Sequence, residues 1–198
     1  LDVFVGVPTK WASDRYGQVV ILVNDGTGLF SRLITDSRNY INPYKNDLYG
    51  VDGIACGDFD GDNKIDFIVC SVNSNKVKYY QGDGLGNFAE KPSRAVDIIN
   101  PNSVGYPNML RCGDLDLDGD RDFVMATDGY LTTPIFQGGH VYWYENQNDA
   151  TFIRHCLPGD CLVRTSSSGD LDSGAMGDFE GDGDLDFFVA DGNDSRNV

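Results

Sequence analysis

The sequence predicts an all-β chain of four-stranded antiparallel units repeated in tandem, the blades of a β-propeller. Three observations carry this expectation. An acidic loop of fixed spacing occurs three times and runs each time into an apolar strand. A strand–turn–strand pattern recurs with nearly the same period, and no segment shows sustained helical periodicity with caps.

The acidic loop is clearest at Asp114, Asp116, Asp118 and Asp122, relative positions 1, 3, 5 and 9, followed at once by Phe123-Val124-Met125-Ala126. Carboxylates this close repel: at about 4 Å and an effective dielectric near 20, each like-charged pair costs roughly 4 kcal/mol. A fold tolerates that when a cation sits among them. Alternate residues of a tight loop bring their oxygens to one point, and a hard ion such as Ca2+ takes roughly six to eight oxygens. A solvated acidic turn is the plain alternative for a single copy. Two further copies, at Asp58, Asp60, Asp62 and Asp66 and at Asp178, Glu180, Asp182 and Asp186, tell against it.

The first aspartates of the three loops are 56 and 64 residues apart. The second landmark lines up Gln18–Phe30 with Lys76–Phe88 and His140–Phe152, each a β-branched and aromatic strand, a Gly/Asn/Asp turn, and an aromatic opening the next strand. Ile41-Asn42-Pro43 and Ile99-Asn100-Pro101 add a third, 58 residues apart. One repeat thus reads as four short strands: 54–57 ending at the loop, 66–72 leaving it, 76–81, and a fourth opening at Phe88. The second of these is apolar on both faces, as a sheet sandwiched between neighbours requires.

This parsing gives one propeller segment over 1–198, with blades at approximately 1–50 (partial), 51–106, 107–172 and 173–198 (partial). Leu1-Asp2-Val3-Phe4-Val5 aligns with Ile65-Asp66-Phe67-Ile68-Val69, so the chain opens at the eighth position of a loop. Propellers typically have four to eight blades. The expectation is therefore a partial ring whose open apolar blade faces are covered by further chain or another subunit.

Composition sets limits. A 198-residue chain that is 40% hydrophobic can bury a substantial core. No apolar run approaches the roughly 20 residues of a membrane helix. The formal charge of −16 tells against nucleic acid, which calls for clustered Lys and Arg. Much of that charge lies in the loops, and three divalent ions would leave about −10.

The five cysteines fall into two kinds. Cys156 and Cys161 flank Leu-Pro-Gly-Asp, a turn-like spacer whose ends a disulfide can close. Cys56 and Cys112 precede their loops where the third copy has Met176, and Cys70 matches Ala126 and Ala190, so these three read as buried free thiols.

With loops and blades in place, the sequence resembles the FG-GAP and VCBS-type repeats of calcium-binding β-propellers, found in integrin α-subunit heads and in many bacterial and fungal secreted proteins. The pieces that carry the resemblance are residues 57–69 and their two relatives, and the turn Gln81–Phe88. The resemblance implies that side chains at positions 1, 3, 5 and 9 and the carbonyl at position 7 bind one Ca2+ per loop, three in all. Carried over, these are Asp58, Asp60, Asp62, Asp66 and the Lys64 carbonyl; Asp114, Asp116, Asp118, Asp122 and the Asp120 carbonyl; and Asp178, Glu180, Asp182, Asp186 and the Asp184 carbonyl. Glu180 departs from the family's Asp at position 3. Asp2 would be the last ligand of a loop whose earlier positions lie outside this sequence. Gly119, Gly183 and Asn63 suit a positive torsion at position 6.

Competing sites fall away. An EF-hand needs a bidentate Glu at position 12, where this chain has Val69, Met125 or Val189 inside a strand. Zn2+ calls for His or thiolate ligands, absent from these loops, and Mg2+ fits a flexible many-carboxylate loop poorly. His140 and His155, the only histidines, belong to no HExxH or triad and read as surface or strand residues. Gly82, Gly84 and Gly86 precede a strand, not a helix, and so form a hairpin turn and not a phosphate loop.

The functional expectation is an extracellular or cell-surface, calcium-stabilised propeller acting in adhesion, carbohydrate binding or scaffolding, with no catalytic residues identified. The alternative is the propeller of a secreted carbohydrate-active enzyme, a lyase or dehydratase. A protein or glycan ligand is expected at the connections carrying Tyr40, Tyr44, Tyr49, Tyr106, Tyr130 and the insert Thr132–Gln137. Asn193-Asp194-Ser195 is a glycosylation sequon in a eukaryotic secretory setting.

Overall fold

The computed structural model describes residues 2–7, 18–33, 50–71, 76–94, 106–128, 130–132, 135–137, 139–156 and 171–191. These form antiparallel sheets joined by turns, with one short 3-10 turn at Pro92–Arg94. The first sheet holds β1 (Val3–Val7), β2 (Gln18–Asn24) and β3 (Phe30–Arg32) in that order. The second holds β4 (Gly53–Gly57), β5 (Asp66–Ser71), β6 (Lys76–Gly82) and β7 (Phe88–Glu90), the four-stranded blade read from the sequence.

The third blade uses β8 (Tyr106–Gly113), β9 (Asp122–Asp128), β12 (Val141–Asn146) and β13 (Phe152–Cys156) in the same order. A small hairpin of β10 (Tyr130–Thr132) and β11 (Ile135–Gln137) is inserted between its second and third strands. The fourth sheet is the pair β14 (Leu171–Gly177) and β15 (Asp186–Asp191).

Two placements correct the sequence reading. Tyr106 starts strand β8 and pairs with Asp128, and Tyr130 with the Thr132–Gln137 insert belongs to a hairpin within the third blade, Tyr130–Thr132 pairing with Ile135–Gln137. Neither belongs to a connection between blades. Period-2 alternation over only three residues on each arm of the hairpin was too short to read as strand. Tyr40, Tyr44, Tyr49, the two Ile-Asn-Pro landmarks, Cys161 with its proposed bond to Cys156, and the 193–195 sequon lie outside the described residues.

The register repeats. Gly57 faces Asp66, Gly113 faces Asp122 and Gly177 faces Asp186, so each acidic loop closes a hairpin between the glycine before it and its own position 9. Side chains alternate across a strand, and every second strand therefore feeds two cores. Phe67 and Val69 face the first blade, beside Val19 and Ile21, whereas Ile68 and Cys70 face the third, beside Phe123 and Met125. Val124 and Ala126 in turn meet Leu171 of the fourth. The continuous apolar run in β5 thus makes two blade interfaces. Burying each such side chain contributes about 1.5–3 kcal/mol.

The two complete blades also share an aromatic stack. Phe67 stacks on Tyr80 with centroids 4.7 Å apart and meets Phe88 at 5.0 Å. Phe123 stacks on Tyr144 at 4.5 Å and meets Phe152 at 4.9 Å. The first residue after each loop is thereby locked to the third and fourth strands, which fixes where the loop ends.

Cys56, Cys70 and Cys112 are free thiols. Cys70 is fully buried, whereas Cys56 and Cys112 are only half-buried at the interface of the second and third blades, where the Cys112 thiol donates to the Cys56 carbonyl at 3.0 Å. Burial pushes all three thiols up, away from the reactive thiolate.

Candidate metal centre

Each loop is built by its own carboxylates folding back on its own amides. At position 1, Asp58 accepts from the amides of Asp62 (3.1 Å) and Asn63 (2.7 Å), and Asp114 accepts from Gly119 (3.1 Å). Asp178 accepts from Gly181, Asp182 and Gly183. At position 5, Asp62, Asp118 and Asp182 each accept from the amide two residues on. These turns bring alternate side chains to one side of the loop.

The turns need left-handed backbone at two places, not one. Position 6 has φ of 62° at Asn63 and 100° at both Gly119 and Gly183. Position 4 is also left-handed: Gly61 at 74°, Gly181 at 80°, and Leu117 at 62°. Two glycines at position 4 were a signal for this in the sequence, which Leu117 in the third-blade loop obscured.

Position 9 has a different role from the others. Asp66 is fully buried and accepts from the Phe59 amide (3.2 Å), the Tyr79 hydroxyl (2.7 Å) and the Gly82 amide (2.8 Å). Asp122, equally buried, accepts from the amides of Leu115 (2.8 Å) and Asn146 (2.9 Å). Asp186 accepts from the Phe179 amide, and Asp2 from the Asn24 amide. The position-9 carboxylate therefore ties its own loop, at position 2, to the end of the third strand. The strand-end partners Gly82 and Asn146 were not found from sequence, because the bond to position 9 is made by a backbone amide and carries no side-chain signature.

The carboxylates converge in two of the three loops. Oxygens of Asp58, Asp60 and Asp66 lie within 4.8 Å of one another, as do those of Asp114, Asp116 and Asp118. Asp62 lies beside Asp60 without joining the mutual convergence of the first triad, and it pairs with Lys64 at 2.7 Å, which holds its carboxyl below the usual range. Asp122 stands apart from the second. In the fourth-blade loop Asp178, Glu180, Asp182 and Asp184 are exposed, and no comparable triad is found there among the described residues.

Several loop oxygens are buried without a hydrogen-bond partner: Asp60 Oδ1, Asp114 Oδ1 and both oxygens of Asp120. Asp120 is 9% exposed. Burial first, then Asp118 and Asp122, push its carboxyl up to about 6. Burial likewise raises Asp66, Asp116 and Asp122. Buried carboxylate oxygens without donors are costly in a folded chain and fit a cation. The donor set is all oxygen, which fits a hard divalent ion such as Ca2+.

Asp60 also receives a short bond from the Gln81 side chain. At the same register in the third blade stands Glu145, bonded to Gln147 and to His155, whose ring stacks on Trp143. His140 is buried rather than on the surface, its amide donating to Thr127 Oγ1 at 3.1 Å. The turn holding Gly84 and Gly86 joins β6 to β7 with positive φ at both, as a hairpin turn should.

Antiparallel blades whose first two strands are joined by an acidic loop, closed each time in the same register, define the partial blades of a propeller built from acidic-loop repeats. The FG-GAP-like repeat family matches residues 58–125 and 114–189, two overlapping copies that each start on the first aspartate of a loop. The chain belongs to this family. No curated protein matches it. No helix among the described residues is long and apolar enough to cross a membrane.

Proposed function

We propose that this chain is a calcium-clamped propeller segment of an extracellular protein, working as a recognition or scaffold module in adhesion or carbohydrate binding. The observation that carries the calcium reading is the buried, unpartnered carboxylate oxygen in both triads, together with the buried Asp120 carboxylate beside the second. Asp58, Asp60 and Asp66 would hold one ion; Asp114, Asp116 and Asp118 would hold another. A bound divalent ion supplies positive charge and oxygen coordination there. The residues themselves bend the loop, fix its two left-handed positions and tie it to the third strand.

The family supports the extracellular setting, since such repeats are typical of extracellular proteins. The proposed partner is a protein or glycan, met by loops of the propeller. The outward faces of the end blades carry exposed apolar side chains: Val3 and Val5 on one, Phe179 and Phe188 on the other. A flanking blade or another subunit would cover them.

Isothermal calorimetry of the cation-free chain with CaCl2 tests the core of this reading. Saturable binding that Asp60→Asn and Asp116→Asn each reduce by one site supports it, and absence of binding at millimolar CaCl2 contradicts it. A glycan-array screen with and without calcium then addresses the ligand.

A further inference from the structure

We propose that Asn146 is a positioning residue that couples the cation sites of the second and third blades, so that filling one raises the affinity of the other. This rests on reading both loops as calcium sites.

A continuous buried hydrogen-bond chain joins the two loops. Asp66 Oδ2 accepts from the Phe59 amide at 3.2 Å, and the Phe59 carbonyl accepts from Asn146 Nδ2 at 2.8 Å. The Asn146 amide in turn donates to Asp122 Oδ1 at 2.9 Å. None of these four residues is more than 1% exposed. A carbonyl can only accept, so the NH2 end of the Asn146 amide must face Phe59.

The chain meets each loop at the residue best placed to feel an ion. Phe59 lies between Asp58 and Asp60, and peptide planarity ties its amide and carbonyl to the settings of those two residues. Leu115 lies between Asp114 and Asp116 in the same way, and its amide shares the Asp122 carboxylate with Asn146 at 2.8 Å. Settling Asp58 and Asp60 on an ion thus fixes the Phe59 carbonyl, which fixes Asn146, which orients Asp122 and the start of the third-blade loop. Linkage makes the effect reciprocal.

This connection is particular to Asn146. At the same register in the second blade, Gly82 bonds Asp66 through its amide but has no side chain to reach further. The Phe59 carbonyl also accepts from the Ala150 amide at 2.8 Å. Removing the Asn146 side chain therefore leaves that carbonyl bonded and the blades docked.

The test uses calcium calorimetry on the full chain. Asp60→Asn disables the second-blade site and Asp116→Asn the third-blade site, so the two variants give single-site affinities and the parent gives the coupled pair. The expected result is binding to the pair tighter than the product of single-site constants by roughly 5- to 150-fold. In Asn146→Ala that factor falls to one while single-site affinities stay within about twofold of the parent's. A factor of one in the parent, or an unchanged factor in Asn146→Ala, overturns the coupling while leaving the calcium reading intact. No calcium binding at all overturns both. A second measurement needs no change at Asn146: with calcium present, hydrogen exchange at the Leu115 amide speeds up in Asp60→Asn. Unchanged protection there overturns the proposal.

Discussion

The Gly82 amide donates to Asp66 Oδ1 at 2.8 Å, binding the end of the third strand to the last residue of the acidic loop. The approach is so close that a Cβ on Gly82 would lie 2.1 Å from the Ile65 carbonyl oxygen. That neighbour is backbone and cannot step aside. Gly82→Ala is therefore expected to destabilise by about 1–3 kcal/mol through overpacking alone. Asp66→Asn turns an acceptor into a donor against amides and a hydroxyl, with an expected loss of about 1–3 kcal/mol for each donor left unsatisfied. Urea unfolding of the two variants checks both; near-parental midpoints would contradict the assigned role of position 9.

Leu117 sits at φ 62° with its side chain 63% exposed, at a position that is glycine in the other two loops. A left-handed L-residue costs roughly 1–2 kcal/mol, and little burial offsets it. Leu117→Gly is expected to raise stability by about 1 kcal/mol, net of the glycine's greater unfolded-state entropy. The denaturant midpoint, with calcium held constant, reports the change.

Lys64 occupies position 7 of the second-blade loop and neutralises Asp62 in an ion pair at 2.7 Å. In the third-blade loop the same position is Asp120. Lys64→Ala should free the Asp62 carboxylate, already beside Asp60, from its ion pair and tighten calcium binding at that loop severalfold. Calorimetry on the Asp116→Asn background isolates the site, and weaker binding would contradict the account.

These features were unequally visible in the sequence. The blades and loops could be read because their residues must be particular: carboxylates to gather oxygens, apolar residues on both faces of β5 and β9 to meet two neighbours. The aromatic pairs Phe67–Tyr80 and Phe123–Tyr144 lie on strands that the repeat pattern aligns with one another. The strand-end bonds of Gly82 and Asn146 could not be read, since a backbone amide makes them and leaves no mark in the side-chain pattern. Spacing places Asp62 and Asp122 among four ligands; in the cation-free loops Asp62 pairs with Lys64 and Asp122 accepts from two backbone amides.

The pH dependence of the cation-free chain follows from Asp120. Its carboxyl, raised to about 6, binds its proton more tightly in the folded than in the unfolded state. Such a group contributes stability that is present at low pH and lost as pH rises through that value, because the folded state holds the extra proton. Asp66, Asp116 and Asp122 are raised in the same direction. Calcium-stripped protein should therefore melt higher at about pH 5.5 than at about pH 7.5, with the slope reduced in Asp120→Asn. In saturating calcium the order should reverse, since the ion favours the ionised carboxylates. A stripped protein that melts lower on acidification over that range would contradict this.

The most direct test of the calcium clamp is the melting temperature of the chain in saturating CaCl2 against excess EGTA at neutral pH. An ion at about 100 times its Kd stabilises by about 2.7 kcal/mol per site, and each kcal/mol moves the melt of a chain this size by roughly 2–4 °C. Two filled loops thus predict a drop of about 10 °C or more in EGTA. An unchanged melt would contradict the claim that cations hold these loops together.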